Sequence, residues 1–259
     1  MRLWILNSIS HQSPLGGGSV RSSLTLEFGP LVKARFVERP NRFVVQCKLE
    51  HSEEMVTAHL ADPGRLKELL VPGALLYLRR AQSKTRKTKW SVILVQAQGS
   101  VLVSLQSTLV NHLAAAALQE KAVAALAQWD LVRAEFAHGN SRFDFLLASA
   151  KGEKLLLEVK SCTLVNEGMA MFPDAVTARG ARHLKELAQH QSGGIYRGAV
   201  MFVVQRSDAQ AFRPAAHIDP HFAEALSIAS RSGVQVLAYN CRVDETGITW
   251  GQKLPVHLG

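Results

Sequence analysis

Leu155-Leu156-Leu157-Glu158-Val159-Lys160-Ser161 reads as a strand that is apolar except for two charges. Side chains alternate across a strand, so Glu158 and Lys160 fall on the same face. Just upstream, Phe143-Asp144-Phe145 sets a carboxylate between two aromatic residues, and the same alternation turns Asp144 away from both rings. If the two strands are neighbours, Asp144, Glu158 and Lys160 converge on one small volume. Two carboxylates there suit Mg2+ or Mn2+, hard cations that prefer oxygen ligands. The lysine would orient or help deprotonate a water while the cation offsets charge on a phosphate. The competing reading is structural: a buried carboxylate–lysine ion pair, or a strand end whose side chains reach solvent. Glu135, in the run before, is either an accessory ligand or a surface charge.

Working outward, β-like runs at 131–136 and 142–148 precede this strand. A helix over 177–190, a strand over 198–205, a helix opened by Asp219-Pro220, a strand over 234–239 and a terminal strand pair around 241–250 follow it. That order predicts an α/β domain with a central mixed sheet. Upstream, the Ala-rich segment 107–129 has apolar residues at helical spacing and Ser107 or Thr108 as a cap, which predicts a long helix at the domain boundary.

The first half of the chain has a different rhythm. Short β-like runs occupy 31–37, 42–49, 55–60, 74–80, 90–97 and 101–105. A helix is predicted over 62–70, begun by Asp62-Pro63 and ended at Pro72-Gly73. Five strands among these six runs, with one short helix, suggest an OB-like barrel, a fold that often holds nucleic acid along one face. Between Arg79 and Trp90, the residues Arg79, Arg80, Lys84, Arg86, Lys87 and Lys89 crowd together with no acidic neighbour. Phosphates are their obvious counterions, although basic residues also guard exposed strand edges against aggregation. Arg35, Arg39, Arg42 and Arg65 add charge elsewhere in the same barrel.

The charge is placed unevenly. Residues 1–110 hold 15 Lys/Arg against 7 Asp/Glu, and residues 111–259 hold 15 against 14, so almost all of the net +9 belongs to the first half. A basic chain of this kind commonly meets a polyanion, and DNA is the expected one, with RNA the weaker alternative. With 47% hydrophobic residues the chain suits packed cores rather than disorder. No run approaches the roughly 20 apolar residues of a membrane span. The start, Met1 to Leu6, is too short for a signal-peptide core. A cytoplasmic protein without membrane contact is therefore expected. Cys47, Cys162 and Cys241, far apart and odd in number, read as buried reduced thiols rather than a zinc site.

Ser141-Arg142-Phe143-Asp144-Phe145, Glu158-Val159-Lys160-Ser161, Phe172-Pro173-Asp174-Ala175 and Thr177-Ala178-Arg179-Gly180-Ala181-Arg182-His183-Leu184 closely resemble the sugar fermentation stimulation protein A family. The likeness continues through Phe212-Arg213-Pro214 and Ile218-Asp219-Pro220, and back into the barrel at 59–64. It implies an α+β protein of two domains, an N-terminal OB-like β-barrel and a C-terminal α/β domain resembling PD-(D/E)xK nucleases. It further implies DNA binding without strong sequence preference, and a link to the regulation of sugar, especially maltose, utilisation. Asp144, Glu158 and Lys160 match the nuclease motif. Arg179 and His183, one helical turn apart, match the family's Arg-Gly-x-x-His-Leu run and would approach the scissile phosphate, unless they only hydrogen-bond the 172–174 loop. Members often carry Asn where this chain has Asp62, and the extension 1–22 has no counterpart. The resulting division is an extension over 1–22, a barrel over 23–106 and a nuclease-like domain over 107–259. An active structure- or end-directed nuclease and a non-catalytic DNA-binding protein both remain open, as does the oligomeric state.

Overall fold

The computed structural model describes residues 24–82, 85–139 and 141–258. The extension read over 1–22, and Lys84 of the basic loop, lie outside the described residues. A short strand, β1 (Thr25–Glu27), precedes a five-stranded barrel built from β2 (Val32–Asn41), β3 (Val44–Leu49), β4 (Met55–His59), β5 (Leu75–Arg80) and β6 (Trp90–Gln96). β2, β3 and β4 form an antiparallel meander, β5 pairs with β2, and β6 lies against β5. The ring closes through a parallel pairing of β4 with β6, at Ala58↔Trp90 and His59↔Ser91. That strand order is the OB-like arrangement expected. Alternation fills its interior: in β3, Val45, Cys47 and Leu49 are buried while Val44, Gln46 and Lys48 face out. β7 (Leu102–Ser104) extends the sheet beside β6.

The helix expected over 62–70 does not form. Asp62 turns the chain by accepting a hydrogen bond from Gly64 N at 2.8 Å, and Leu66 adopts a left-handed φ of 51°. The Leu66 N–H is bound at 3.1 Å by Asp174 Oδ2 of the second domain. Side-chain acceptors thus satisfy donors that helical carbonyls would otherwise take, while Leu66 and Leu69 still enter the barrel core.

The second domain runs α1 (Leu109–Gln119), β8 (Trp129–His138), β9 (Ser141–Ser149), β10 (Lys154–Cys162), β11 (Leu164–Asn166), β12 (Met169–Phe172), α2 (Ala178–Ser192), β13 (Arg197–Val204), β14 (Ala211–Pro214), α3 (Pro220–Arg231), β15 (Gln235–Val243) and β16 (Gly247–Lys253). The helix expected as far as residue 129 ends at Gln119. Lys121 takes a φ of 54°, and its Nζ donates to Trp129 O at 2.9 Å. Val123 and Leu126, the second in a short 3₁₀ turn, pack in the same cluster as Leu113 and Leu118. The apolar spacing that predicts one helix is therefore kept by a tight turn.

The main sheet has the order β1-β16-β15-β13-β10-β9-β8, with β10, β13 and β15 parallel and the other pairs antiparallel. Leu155, Leu157 and Val159 of β10 pack in one cluster with α1, and Leu156 packs in another with α2 and α3. β10 is covered on both faces, as its run of apolar residues requires. The barrel docks on the α1 side through Tyr77, Ile93 and Leu94. Polar ties span the same junction: Ser104 N donates to Gln205 O at 3.0 Å, and Ser107 Oγ to Ala61 O at 3.0 Å. The three cysteines are buried and unpaired.

Candidate functional site

β9 and β10 stay paired as far as Phe145↔Leu157 and then separate. Asp144 is the first residue past the last pair. Its Oδ2 accepts from Val159 N at 2.7 Å, so a side chain replaces the backbone carbonyl that a continued ladder would have supplied. Its Oδ1 accepts from Asn111 Nδ2 of α1 at 2.7 Å. Strand separation also breaks simple alternation: Phe143 packs in the α2 cluster and Phe145 in the α1 cluster. Asp144 is thus not opposite two rings on one face, as alternation predicts, but at the point where the strand rotates.

Glu158 sits on the α2 side of β10, at 4% exposure. Its Oε1 accepts from Lys160 Nζ at 2.5 Å and from His183 Nδ1 at 2.7 Å. Its Oε2 is buried without a hydrogen-bond partner. Ionising a carboxylate in such a place costs several kcal/mol unless partners compensate. Burial pushes the Glu158 pKa up, but the His183 hydrogen bond and the Lys160 charge outweigh it, and the net direction is down. Asp144 moves the other way: burial raises its pKa, the Glu158 charge raises it further, and the bonds from Val159 N and Asn111 offset only part. Asp144 therefore feels the Glu158 charge, and a positive charge placed beside it would offset that effect.

Glu158, Lys160 and His183 thus form one hydrogen-bonded group on the α2 side of β10, while Asp144, bonded to Val159 N and to Asn111 of α1, stands near enough to feel the Glu158 and Lys160 charges. The two helical residues separate in role. His183, 2% exposed, holds Glu158 from the buried face of α2 and does not reach out to a phosphate. Arg179, one turn earlier, is exposed. Glu135 lies across from Asp144 in the β8–β9 pairing, yet its exposed carboxylate faces Arg142 at 3.7 Å rather than the site. Asn111 was not singled out by sequence reading. Its signal is a polar residue of poor helix propensity within an Ala-rich helix.

Both carboxylates keep acceptor capacity: each Asp144 oxygen uses one of its two lone-pair directions, and Glu158 Oε2 uses none. This oxygen-only donor set fits a hard divalent cation. Among the described residues, no group of three or more His, Cys, Asp and Glu is arranged to hold a metal, so the remaining ligands would be water or phosphate oxygens.

The basic residues of the barrel form two classes. Arg35 pairs with Glu50 at 2.7 Å, and Arg79 donates to Phe28 O at 3.0 Å, so both are engaged in the fold. Arg42, Arg65, Arg80, Lys87 and Lys89 are exposed, and Arg86, exposed as well, donates to Ser91 Oγ at 3.0 Å and Thr88 Oγ1 at 3.1 Å. Arg39 is structural, donating to Arg65 O at 2.8 Å and Arg42 O at 2.7 Å.

Comparison with known proteins gives a consistent picture. The family described as "SfsA N-terminal OB domain" matches residues 37–105, and "Sugar fermentation stimulation protein RE domain" matches 108–247. A sugar fermentation stimulation protein homolog of Shouchella clausii is 44% identical over 227 residues, covering 88% of this chain and 97% of that protein. A homolog from Chloroflexus aurantiacus is 45% identical over 227 residues, covering 88% and 86%. The structure of Pyrococcus furiosus SfsA in complex with Ca2+ superposes with a TM-score of 0.81 at 27% identity, covering 90% of this chain and 98% of that one.

Proposed function

Since this chain belongs to the sugar fermentation stimulation protein family, we propose that it binds DNA through its basic barrel and hydrolyses phosphodiesters at Asp144, Glu158 and Lys160 with a divalent cation, Mg2+ or Mn2+. The observation that carries this reading is Glu158: a buried carboxylate with one oxygen held by a lysine and a histidine and the other left without a partner. A purely structural ion pair would satisfy both oxygens.

Asp144 and Glu158 would hold the cation, which would offset charge on the phosphate. Asn111 and Val159 N keep Asp144 in place, and His183 keeps Glu158 ionised and aimed. Lys160 Nζ, already beside Glu158 Oε1, is placed to orient a water for attack on phosphorus as a sugar oxygen leaves. Arg179 offers an exposed guanidinium to a flanking phosphate. The exposed cations of the barrel supply sequence-independent affinity. Regulation of sugar, including maltose, utilisation would act through that DNA occupancy.

The test is incubation of purified protein with duplex, branched and single-stranded DNA and Mg2+ or Mn2+. Cleavage by the parent and none by Asp144→Asn or Lys160→Ala is expected. Cleavage surviving in both variants would assign the activity to a contaminant, and DNA binding without cleavage would leave a nuclease scaffold used for binding. Competition between DNA and RNA of matched sequence decides which polymer is preferred.

A further inference from the structure

α2 and α3 pack together in one apolar cluster and are drawn close where Gly180 meets Phe222. A Cβ at Gly180 would stand 3.2 Å from the Phe222 ring and 2.9 Å from the Thr177 methyl group, so only glycine admits this approach. Beside that contact a depression of about 440 Å³ opens between the first turns of the two helices, with Val176, Ala178 and Ala181 among its walls. Alanine at 178 and 181 leaves room that a larger side chain would fill. Val176 adds an apolar wall that is itself 69% exposed.

The rim is cationic. Ala178, Ala181, Arg182 and Lys185 recur at the i, i+3, i+4, i+7 spacing of a single helix face, and His221 lines the depression from the start of α3. Among the described residues Lys185 and His221 have no hydrogen-bond or ion-pair partner, and Arg182 meets Glu186 through Nε at a loose 3.6 Å. The carboxylate in the lining, Asp219, is already bonded: its Oδ1 accepts from Phe222 N at 3.0 Å and its Oδ2 from Thr177 N at 2.8 Å. Cations on a helix surface are ordinary where they stand in solvent or pair along the helix. These flank an apolar hollow whose volume falls within the range of small-molecule sites, about 300–1,000 Å³.

We propose that the depression between α2 and α3 binds a small organic phosphate, its apolar body against Val176, Ala178 and Ala181 and its phosphate on Arg182, Lys185 and His221. A guanidinium and an ammonium together suit a phosphate monoester, which carries between one and two negative charges at neutral pH. A bare phosphate would leave the apolar walls wet. A DNA backbone, which turns its phosphates outward and its bases inward, would meet the rim and not the hollow. The site lies apart from Glu158, since His183 of the same helix bonds Glu158 from the buried face of α2. Binding here therefore needs neither DNA nor a divalent cation.

Calorimetry on the full-length protein, with divalent cations chelated, compares 1-naphthyl phosphate, 1-naphthol and inorganic phosphate. The first is expected to bind about tenfold or more tightly than either of the others. Arg182→Gln combined with Lys185→Gln is expected to weaken naphthyl phosphate by about tenfold, and Ala181→Leu, which fills the hollow, by a similar factor. Should Ala181→Leu fail to fold, the double glutamine variant, which alters only exposed side chains, decides alone. Equal affinity for naphthyl phosphate and inorganic phosphate, affinity kept in the double glutamine variant, or no binding by the parent overturns the site. A parent that ignores naphthyl phosphate, with DNA affinity lost in the double glutamine variant, also overturns it and assigns these cations to DNA.

Discussion

Glu158 is 4% exposed and shares one carboxylate oxygen between a strand lysine and a helix histidine, whereas Arg80, at the end of β5, and Lys87 and Lys89, on the loop that follows, stand in solvent. The difference lies in what fixes each charge. Around Glu158 every charge is immobilised by a hydrogen bond in a low-dielectric setting, where removing a partner is costly and geometry is precise enough for chemistry. On the loop, water screens the charges and no single one is indispensable, so they act as a sum. Few fixed charges suit a reaction, and many loose ones suit a polyanion.

The sharpest way to break this contrast is Glu158→Gln, which keeps shape and removes charge. Metal-dependent cleavage is expected to fall by about 10³-fold, while DNA affinity measured without metal stays the same; a parallel loss of affinity would erase the distinction between the two regions. Next comes Asp62, buried at the junction of the domains. Burial lifts its pKa, Gly64 N opposes and Asp174 reinforces, for a value of about 6. A carboxyl whose folded pKa is raised contributes stability that is fully present below its unfolded pKa, near 3.9, and lost as pH rises through about 6. Asp62→Asn is expected to stabilise the protein at pH 7 by up to about 3 kcal/mol, with the gain vanishing near pH 4. Urea midpoints at the two pH values measure this, and equal gains at both would refute it.

A smaller effect is expected from reversing Arg80, Arg86, Lys87 and Lys89 to Glu. Binding should weaken, and the slope of log affinity against log salt should flatten by about 0.9 for each phosphate no longer neutralised; an unchanged slope removes the loop from the interface. The smallest is Arg35→Ala. Because Arg35 already pairs with Glu50, DNA affinity should change by less than about twofold and stability by about 1 kcal/mol or less. A loss as large as that of the loop variant would show that the ion pair opens on binding.

β10 was legible residue by residue, since Glu158 and Lys160 are the only charges within its apolar run after Lys154. The cap of α3 was equally plain: Asp219 accepts from Phe222 N as Asp-Pro predicts. What the sequence concealed depends on distant partners. The 62–70 segment carries helix-start signals, but the acceptor that decides its path, Asp174, lies 108 residues away. Asn111 and Asp144 meet across 33 residues, and no local pattern announces the pair. The separation of β9 from β10 at Asp144 likewise follows from where the side chain bonds, not from the Phe-Asp-Phe alternation. The small sheet β11-β12-β14 was too short to leave a period.

The strand β1 precedes the barrel in sequence but pairs antiparallel with β16, placing Leu26 opposite Ile248. In connectivity the barrel is therefore an insertion, threaded between the first strand and the first helix of the sheet that houses Glu158. A fragment begun at the apparent domain boundary would lose an edge strand and leave the β16 backbone open to pairing with other chains. To isolate the second domain, an engineer would excise the barrel and splice β1 to α1 rather than shorten the protein from its start.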